Sequence, residues 1–125
     1  MTDRPALLII DDDVSLARAF ARLLEREGFV VTMAHSGLEG LVALRQRAFQ
    51  AILCDLRLPF LEGRLFYKEL VDQYPDQAAR VLFITGQPPD ADTEAFVAET
   101  GRPILHKPVE FTDLLAAVRR TTRQG

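Results

Sequence analysis

Apolar and polar residues alternate in blocks along the chain, and this pattern predicts five strands separated by helices. Four of the apolar blocks are short and almost free of polar residues, which is typical of strands covered on both faces of a sheet. A fifth block, at Ile104 and Leu105, is shorter and weaker. The predicted strands are 6–10, 29–34, 51–54, 81–84 and 104–105.

The segments between the strands carry hydrophobic residues at helical spacing. Gly28 is expected to end the first helix in the left-handed conformation, and Ser36 with Glu39 forms the capping-box pattern that opens the second. Pro75 is expected to stop the third helix. The last three helices are predicted over 63–74, 92–99 and 111–122. The side chains expected to face the core are Leu16, Phe20, Leu23, Leu24, Leu38, Leu41, Val42, Phe66, Leu70, Leu114, Leu115 and Val118.

Strands that alternate with helices favour a parallel sheet, because parallel neighbours can be joined only by crossover connections. The carboxyl ends of parallel strands lie at one edge, and ligand sites of such sheets gather there. The sequence therefore predicts an α/β domain with helices on both faces, whose functional residues follow the strands.

Length and composition restrict the class of protein further. The 125 residues correspond to one domain, and the hydrophobic content of 48% is enough for a continuous core. A net charge of -3, with both signs mixed along the chain, argues against a nucleic-acid surface. The one cysteine, Cys54, cannot form an internal disulfide, and no apolar run reaches the length of a membrane span. We expect a single domain over 1–125, soluble and cytoplasmic, with no direct nucleic-acid contact and no membrane insertion.

Polar side chains stand after four of the predicted strands. Asp11 and Asp12 follow the first strand, and Asp55 follows the third. Thr85 follows the fourth strand and Lys107 the fifth. In a parallel sheet these side chains meet at one edge, where the carboxylates would repel one another without a cation. Oxygen ligands with open solvent positions suit Mg²⁺, so the sequence predicts a magnesium pocket.

The same group of residues predicts a reaction class. A divalent cation neutralises charge while a phosphoryl group is transferred to a carboxylate, and Thr85 and Lys107 can hold the phosphoryl oxygens. Zinc is not expected, since His35 and His106 have no suitably spaced partners. The predicted chemistry is therefore phosphoryl transfer to aspartate.

Five short sequence elements occur in order over the whole chain. They are Asp11-Asp12, Asp55 in CDLRLP, Leu58-Pro59 with Gly63 behind it, Thr85-Gly86, and Lys107-Pro108. Each element alone is a weak signal. The complete set at these spacings resembles the receiver domain of two-component response regulators.

The resemblance implies a flavodoxin-like (βα)5 fold, with a five-stranded parallel sheet in the order 2-1-3-4-5. It also implies that Asp55 is the phosphoacceptor. The implied Mg²⁺ ligands are Asp12, Asp55 and the backbone carbonyl of Arg57, with Asp11 acting largely through water.

In such a domain Thr85 and Lys107 would contact the phosphoryl oxygens, and the Lys107-Pro108 peptide would be cis. The phosphoryl donor would be a sensor histidine kinase or a histidine phosphotransfer protein, and a downstream protein target would read the phosphorylated state. The domain would catalyse its own phosphorylation and dephosphorylation at Asp55 and would not turn over a separate substrate.

Two features depart from the usual receiver pattern. Ile104 stands three residues before Lys107, where receivers usually carry an aromatic ring that turns inward on switching. Pro88 and Pro89 restrict the backbone after the fourth strand. The segment TGRPILHKP is similar to receivers associated with hybrid histidine kinases rather than to those fused to DNA-binding domains.

Two other functions are alternatives to the phosphorylated receiver. A pseudo-receiver would keep the fold and signal without phosphorylation, but such domains typically lose one of the residues Asp12, Asp55, Thr85 and Lys107. A haloacid-dehalogenase-like phosphatase would also use strand-end Asp, Thr and Lys residues. That family needs Asp-x-Asp-x-Thr/Val in its first motif, whereas Ser15 is the residue that follows Asp11-Asp12-Asp13-Val14 here.

Overall fold

The computed structural model describes residues 4–57, 62–86 and 91–123. The Leu58-Pro59 element and the pair Pro88 and Pro89, which the sequence analysis singled out, lie outside these residues. None of the helices in the described ranges combines the length and the apolar character that crossing a membrane requires.

Five parallel strands form one sheet in the order β2-β1-β3-β4-β5, which confirms the predicted flavodoxin-like architecture. The strands are β1 (Ala6–Ile10), β2 (Val30–Ala34), β3 (Ala51–Asp55), β4 (Val81–Thr85) and β5 (Ile104–His106). The helices are α1 (Val14–Arg26), α2 (Gly37–Gln46), α3 (Gly63–Gln73), α4 (Pro75–Ala78), α5 (Ala91–Thr100) and α6 (Phe111–Arg123). The predicted fourth and fifth helices are therefore α5 and α6, because the short helix α4 was not predicted.

Burial along each strand follows from its place in the sheet. Every residue of β1, β3 and β4 is buried, because these central strands have a neighbour on each side and helices on both faces. The edge strands β2 and β5 are partly exposed, which explains why the apolar run at Ile104 is weak. Asp55 and Thr85 end two of the central strands, so both are buried at the carboxyl edge.

Two hydrophobic layers cover the sheet. Helices α1 and α6 pack on one face through residues such as Leu24 and Leu114. Helices α2, α3 and α5 pack on the other face, where Phe66, Leu70 and Val97 are buried. Most of the residues predicted to face the core do so in α1, α3 and α6.

The predicted inward face of α2 is wrong for two of its three residues. Leu38 and Val42 are 54% and 50% exposed, whereas Leu41 is partly buried and packs against the hydrophobic layer. The helix buries Gly37, Gly40 and Leu44 instead. A Cβ at Gly40 would lie 2.7 Å from Cδ1 of Ile10. The glycine stripe therefore lets the helix backbone approach the sheet closely, and this turns the larger side chains outward.

Helix ends are set by local signals, of which Gly28 and the capping box at Ser36 were predicted. The side chain of Asp13 accepts a hydrogen bond of 3.0 Å from the backbone N–H of Leu16 and caps α1. Gly28, just beyond the end of α1, has a φ of 97°, in the left-handed region that favours glycine. Ser36 Oγ accepts a bond of 3.1 Å from the N–H of Glu39 at the start of α2. Hydrogen bonds and backbone conformation within a few residues thus determine where α1 begins and ends and where α2 begins.

Candidate functional site

Three carboxylates meet at the carboxyl edge of the sheet. Asp11 follows β1 and Asp55 ends β3, and these strands are neighbours with Ile10 paired to Cys54. One carboxylate oxygen from each of Asp11, Asp12 and Asp55 lies within 4.8 Å of the other two. Asp11 and Asp55 are buried, whereas Asp12 is exposed. The structure therefore brings together the acidic residues that the sequence placed at this edge.

Lys107 joins two of these carboxylates. Its Nζ lies 2.8 Å from Asp55 Oδ2 and 3.2 Å from Asp11 Oδ2. Burial lowers the pKa of Lys107, but the hydrogen bond and charge of Asp55, together with Asp11, outweigh burial and raise the pKa above its usual value. The Lys107-Pro108 peptide is cis, as the resemblance implied. Lys107 is thus a fully charged ammonium in direct contact with the acidic cluster.

The acidic cluster carries more negative charge than Lys107 can neutralise. The pKa of the Asp11 carboxyl is raised overall, and burial is the main cause. The hydrogen bond from the N–H of Asp13 lowers this pKa, the charge of Asp55 raises it, and Lys107 lowers it. A raised pKa means that the buried carboxylate is costly to ionise where it stands. The site therefore favours an additional cation beside these oxygens.

Backbone groups hold Asp55 and Lys107 in place. The N–H of Arg57 donates a hydrogen bond of 2.8 Å to Asp55 Oδ1, so both oxygens of this carboxylate are engaged. The carbonyl of Thr85 accepts a bond of 2.8 Å from the N–H of Lys107. Thr85 itself is 2% exposed at the end of β4, next to β3. The carboxylate, the ammonium and the hydroxyl residue are therefore presented from adjacent strands.

Gly63 lets the start of α3 pack against the Asp55 segment. A Cβ at position 63 would lie 2.8 Å from the carbonyl oxygen of Asp55 and 2.8 Å from Cα of Leu56. Both are backbone atoms, which cannot move aside as a flexible side chain can. The N–H of Gly63 also donates to the carbonyl of Leu56 at 3.3 Å. Glycine at position 63 therefore allows α3 to begin directly against the backbone of Asp55, a residue of the acidic cluster.

His35 is a neighbour of the cluster that the sequence analysis left without a role. Its ring Nδ1 lies 3.1 Å from the backbone carbonyl oxygen of Asp11, and its backbone N–H donates to the side chain of Glu39. The capping box at Ser36 and Glu39 was the sequence signal that could have placed His35 near the cluster, because it holds the chain just after β2 beside the end of β1. His106 is exposed on β5.

Cys54, the residue before Asp55 on β3, packs in the core. It is fully buried, in the hydrophobic layer that α2, α3 and α5 cover. Burial, followed by the charges of Asp55 and Asp11, raises the pKa of the thiol far above its usual value. A thiol in that environment is not a nucleophile.

Ile104 faces a group of three aromatic rings. It pairs with Phe83 across β4 and β5 and packs in the same hydrophobic layer. The ring centroids of Phe83 lie 5.5 Å from Tyr67 and 5.6 Å from Phe96. The aromatic surface near this position therefore comes from α3, β4 and α5 rather than from β5.

Comparisons with known proteins agree with this arrangement. The family model of the response regulator receiver domain matches residues 7–119. The chain is 31% identical over 119 residues to the uncharacterized transcriptional regulatory protein YkoG of Bacillus subtilis (strain 168), covering 95% of this chain and 51% of that protein. It thus spans about half the length of YkoG. The name of this relative does not test the predicted similarity to receivers of hybrid histidine kinases, which stays a prediction.

Solved structures show the same fold. A CheY-like response regulator receiver domain protein from Methanospirillum hungatei JF-1 is 26% identical with a TM-score of 0.87, over 96% of this chain and 94% of that one. A response regulator from Burkholderia pseudomallei, solved with a phosphorylated aspartic acid, a calcium ion and citrate, is 32% identical with a TM-score of 0.80, over 94% of this chain and 68% of that one. The dehalogenase-like alternative gains no support from these matches. The strand order, the strand-end residues and the match over residues 7–119 together show that the chain belongs to the response regulator receiver domain family of two-component signalling.

Proposed function

We propose that this receiver domain accepts a phosphoryl group from a phosphohistidine on the carboxylate of Asp55. The observation that carries the proposal is the set of contacts that Asp55 makes at the end of β3, the central strand. Its Oδ2 accepts a hydrogen bond from Lys107 Nζ and its Oδ1 accepts one from the N–H of Arg57, both at 2.8 Å. A nucleophile held in one orientation needs little further ordering to react.

The transfer exchanges one phosphorus bond for another. An oxygen of Asp55 forms a bond to phosphorus while the phosphorus–nitrogen bond of the donor imidazole breaks. The electron pair of that bond stays on the imidazole nitrogen, which then takes up a proton. Lys107 neutralises negative charge on the phosphoryl oxygens, and the hydroxyl of Thr85 donates to one of them.

The residues present fit a divalent cation. The cluster offers only oxygen ligands, with three carboxylates within 4.8 Å of one another, and oxygen ligands favour Mg²⁺. In this proposal Asp12, Asp55 and the backbone carbonyl of Arg57 hold the ion, and Asp11 acts largely through water. When bound, Mg²⁺ would supply positive charge to the phosphoryl oxygens. The phosphorylated aspartic acid and calcium ion of the Burkholderia pseudomallei relative support the same chemistry.

Receiver domains of response regulators are typically phosphorylated by histidine kinases and act on downstream effectors. The donor proposed here is accordingly a sensor histidine kinase or a histidine phosphotransfer protein, and the output is binding to a downstream protein target. Residues 1–125 constitute one receiver domain that works in the cytoplasm, without direct nucleic-acid contact or membrane insertion. It catalyses its own phosphorylation and dephosphorylation and has no separate substrate.

Mass spectrometry of the intact protein tests the proposal. After incubation with a small-molecule phosphodonor and Mg²⁺ we expect one phosphoryl adduct, absent in Asp55→Asn and retained in Asp72→Asn, which changes an exposed aspartate of α3. An adduct that survives in Asp55→Asn contradicts the assignment. Absence of any adduct in a protein that still binds Mg²⁺ indicates a pseudo-receiver. Steady hydrolysis of a generic phosphate ester indicates a phosphatase.

A further inference from the structure

A second concave region lies at the amino edge of the sheet, opposite the acidic cluster. Its volume is about 1060 Å³, and its lining includes Ala6 at the start of β1 and Val30 at the start of β2. The loop after α2 and the segment after α4 complete its wall, through residues such as Phe49 and Arg80. A cavity of this size can hold a ligand larger than a single phosphate ion.

The charged side chains that line this cavity are mainly cationic. Among the residues that the structure describes, Arg4, Arg47 and Arg80 line it, against one carboxylate, Asp76. Within the described residues none of the three guanidinium groups has a carboxylate oxygen within 4.0 Å. The described lining of the cavity is therefore positive although the chain as a whole has a net charge of -3. Concave walls of one sign concentrate the electric field and attract ions of the opposite sign.

Two of the arginines are held by contacts that leave donors available. Arg80 uses Nη1 to donate to the carbonyl of Thr121 at 3.0 Å and to that of Gln50 at 3.5 Å. Its Nη2 and Nε donate to no acceptor in the part of the chain that the structure describes. Arg47 lies over the ring of Phe49, with its guanidinium carbon 5.8 Å from the ring centroid. Guanidinium groups held in this way offer paired N–H donors, which match the geometry of phosphate oxygens.

The wall that carries Arg47 is braced by side-chain amides. Gln77 Oε1 accepts a bond of 2.8 Å from the N–H of Phe49, and Gln77 Nε2 donates to the carbonyl of the same residue at 3.0 Å. Gln50 Oε1 accepts a bond of 2.9 Å from the N–H of Ala6. These bonds fix the loop relative to the sheet, so a ligand would not have to order it on binding.

The positive charge of Arg80 is also felt by a neighbouring arginine. Burial lowers the pKa of Arg102, the charge of Tyr67 raises it, and the charge of Arg80 lowers it. The Nε of Arg102 donates to the carbonyl of Val81, the first residue of β4. A second guanidinium is therefore bound at the first residue of β4, which directly follows Arg80 in the chain.

We propose that this cavity binds a phosphate-bearing small molecule of nucleotide size, with Arg47 and Arg80 contacting the phosphate oxygens. The volume favours a ligand larger than inorganic phosphate, and Asp76 provides an acceptor for a hydroxyl or amino group of the ligand. The site lies at the opposite edge of the sheet from Asp55, so the proposal does not depend on phosphorylation of the domain.

Two-dimensional NMR titration of the intact chain tests the proposal, with EDTA present so that no divalent ion bridges the ligand to the acidic cluster. ATP and pyrophosphate are the probes, and adenosine is the control without phosphate. We expect saturable shifts at the amides of 47–50 and 76–80 with ATP, smaller ones with pyrophosphate, and none with adenosine. The same shifts are expected in Asp55→Asn, which separates this proposal from the phosphoacceptor assignment.

Substitutions make the test specific. Arg47→Gln removes an exposed charge and should weaken ATP binding at least about tenfold, because a charge-assisted contact is lost. Arg22→Gln removes the same charge from an exposed position on α1 and should leave the affinity unchanged. Arg80→Gln also loses the bond to Thr121, so its result counts only where the amide spectrum stays native.

Four outcomes of these titrations, and a fifth from a peptide titration, overturn the proposal. The four are absence of shifts at millimolar ATP, equal binding of adenosine, unchanged affinity in Arg47→Gln, and shifts centred on Asp11, Asp55 and Lys107. If a glutamate-rich peptide binds saturably and ATP does not, the proposal is also overturned, since the cavity would then bind an acidic segment of a partner protein.

Discussion

Arg64 Nη2 donates a hydrogen bond of 2.9 Å to Oγ1 of Thr93, and this bond joins α3 to α5. The guanidinium of Arg64 also lies over the ring of Phe96, 5.5 Å from its centroid. Of the ten residues in α5 only Val97 is buried, so this helix has few apolar anchors. Arg64 directly follows Gly63, which packs on the backbone of Asp55. The contact therefore connects the phosphoacceptor segment to a weakly anchored helix.

Arg64→Ala should loosen α5. The substitution removes one hydrogen bond and one cation–π contact, and we expect amide exchange over 91–100 to become about tenfold faster. Hydrogen exchange followed by mass spectrometry is the measurement. Arg45→Ala, at an exposed position on α2, is the matched control and should leave exchange in α5 unchanged. Equal exchange rates in α5 of the Arg64 variant and the wild type would refute this role.

The phosphorylated state should be read through Thr85 rather than Ile104. A ligand shifts a conformational equilibrium only through contacts that differ between the two states, and the Thr85 hydroxyl can supply such a contact. Ile104 has a branched side chain with few χ1 choices and cannot swing a ring into the space beneath α5. We predict that Thr85→Ala abolishes the response to phosphorylation and that Ile104→Ala keeps most of it.

Amide exchange with and without an acyl-phosphate mimic measures that response. We expect changes at 85–86 and over 91–99 in the wild type and in Ile104→Ala. The interpretation fails if these residues do not change in the wild type while Ile104→Ala loses a response elsewhere.

Lys107→Ala should keep the fold and weaken signalling. The ammonium contacts Asp55 at 2.8 Å before phosphorylation, and we expect it to contact a phosphoryl oxygen afterwards, so its loss removes a contact in both states. Phosphorylation by a small-molecule donor and affinity for the phosphodonor protein are the two measurements. Lys68→Ala replaces the other lysine of the chain, which is exposed on α3, and serves as the control. Wild-type behaviour of Lys107→Ala in both assays would contradict the assignment.

Asp11→Asn should stabilise the metal-free protein at neutral pH. Burial raises the pKa of Asp11 in the folded state above its usual value of 3.8. At pH values between the usual pKa and the raised one, the folded state therefore binds more protons than the unfolded state. The free energy of unfolding therefore falls as pH rises through that interval, and asparagine removes this loss. The carboxamide oxygen can still accept the N–H of Asp13, which lies 2.9 Å from Asp11 Oδ1.

Urea unfolding in EDTA from pH 3 to pH 8 tests the Asp11 prediction. We expect the variant to exceed the wild type in stability at pH 7 and to match it near pH 3. Added Mg²⁺ should stabilise the wild type more than the variant. A wild type that is the more stable of the two at pH 7 in EDTA would show that the Lys107 contact outweighs the cost of burial.

Gly63→Ala should disturb both stability and phosphorylation. Its Cβ would meet the carbonyl oxygen of Asp55 and Cα of Leu56, each at 2.8 Å, and relief requires a shift of the backbone that carries the phosphoacceptor. We expect a loss of about 1–3 kcal/mol in the free energy of unfolding, the usual cost of overpacking. At Gly86 the nearest atom to an added Cβ is Cδ of Lys107 at 3.5 Å, an ordinary contact, so Gly86→Ala is the control. Similar phosphorylation rates in the two variants would rule out the positioning role of Gly63.

The sequence by itself determined the sheet and the membership of the acidic cluster. Short apolar runs separated by helical segments leave few topologies other than a parallel sheet, and a parallel sheet brings its strand ends to one edge. Asp11, Asp55 and Lys107 therefore had to meet, although 52 residues separate the last two. The caps at Asp13 and Ser36 were equally local, since each side chain bonds to an N–H three residues ahead.

Only the tertiary structure decided how each helix is rotated and which side chains meet across elements. The run Leu41 to Leu44 in α2 is apolar on more than one face, so its pattern could not identify the buried side. Gly40 settles it by packing closely on Ile10, a contact that depends on the position of β1. The bond from Arg64 to Thr93 and the arginine-lined cavity likewise join residues distant in sequence. Hydrophobic periodicity indicates which side of a single helix or strand is buried. Contacts between elements also depend on how close those elements lie in the folded chain, which the pattern of one element does not contain.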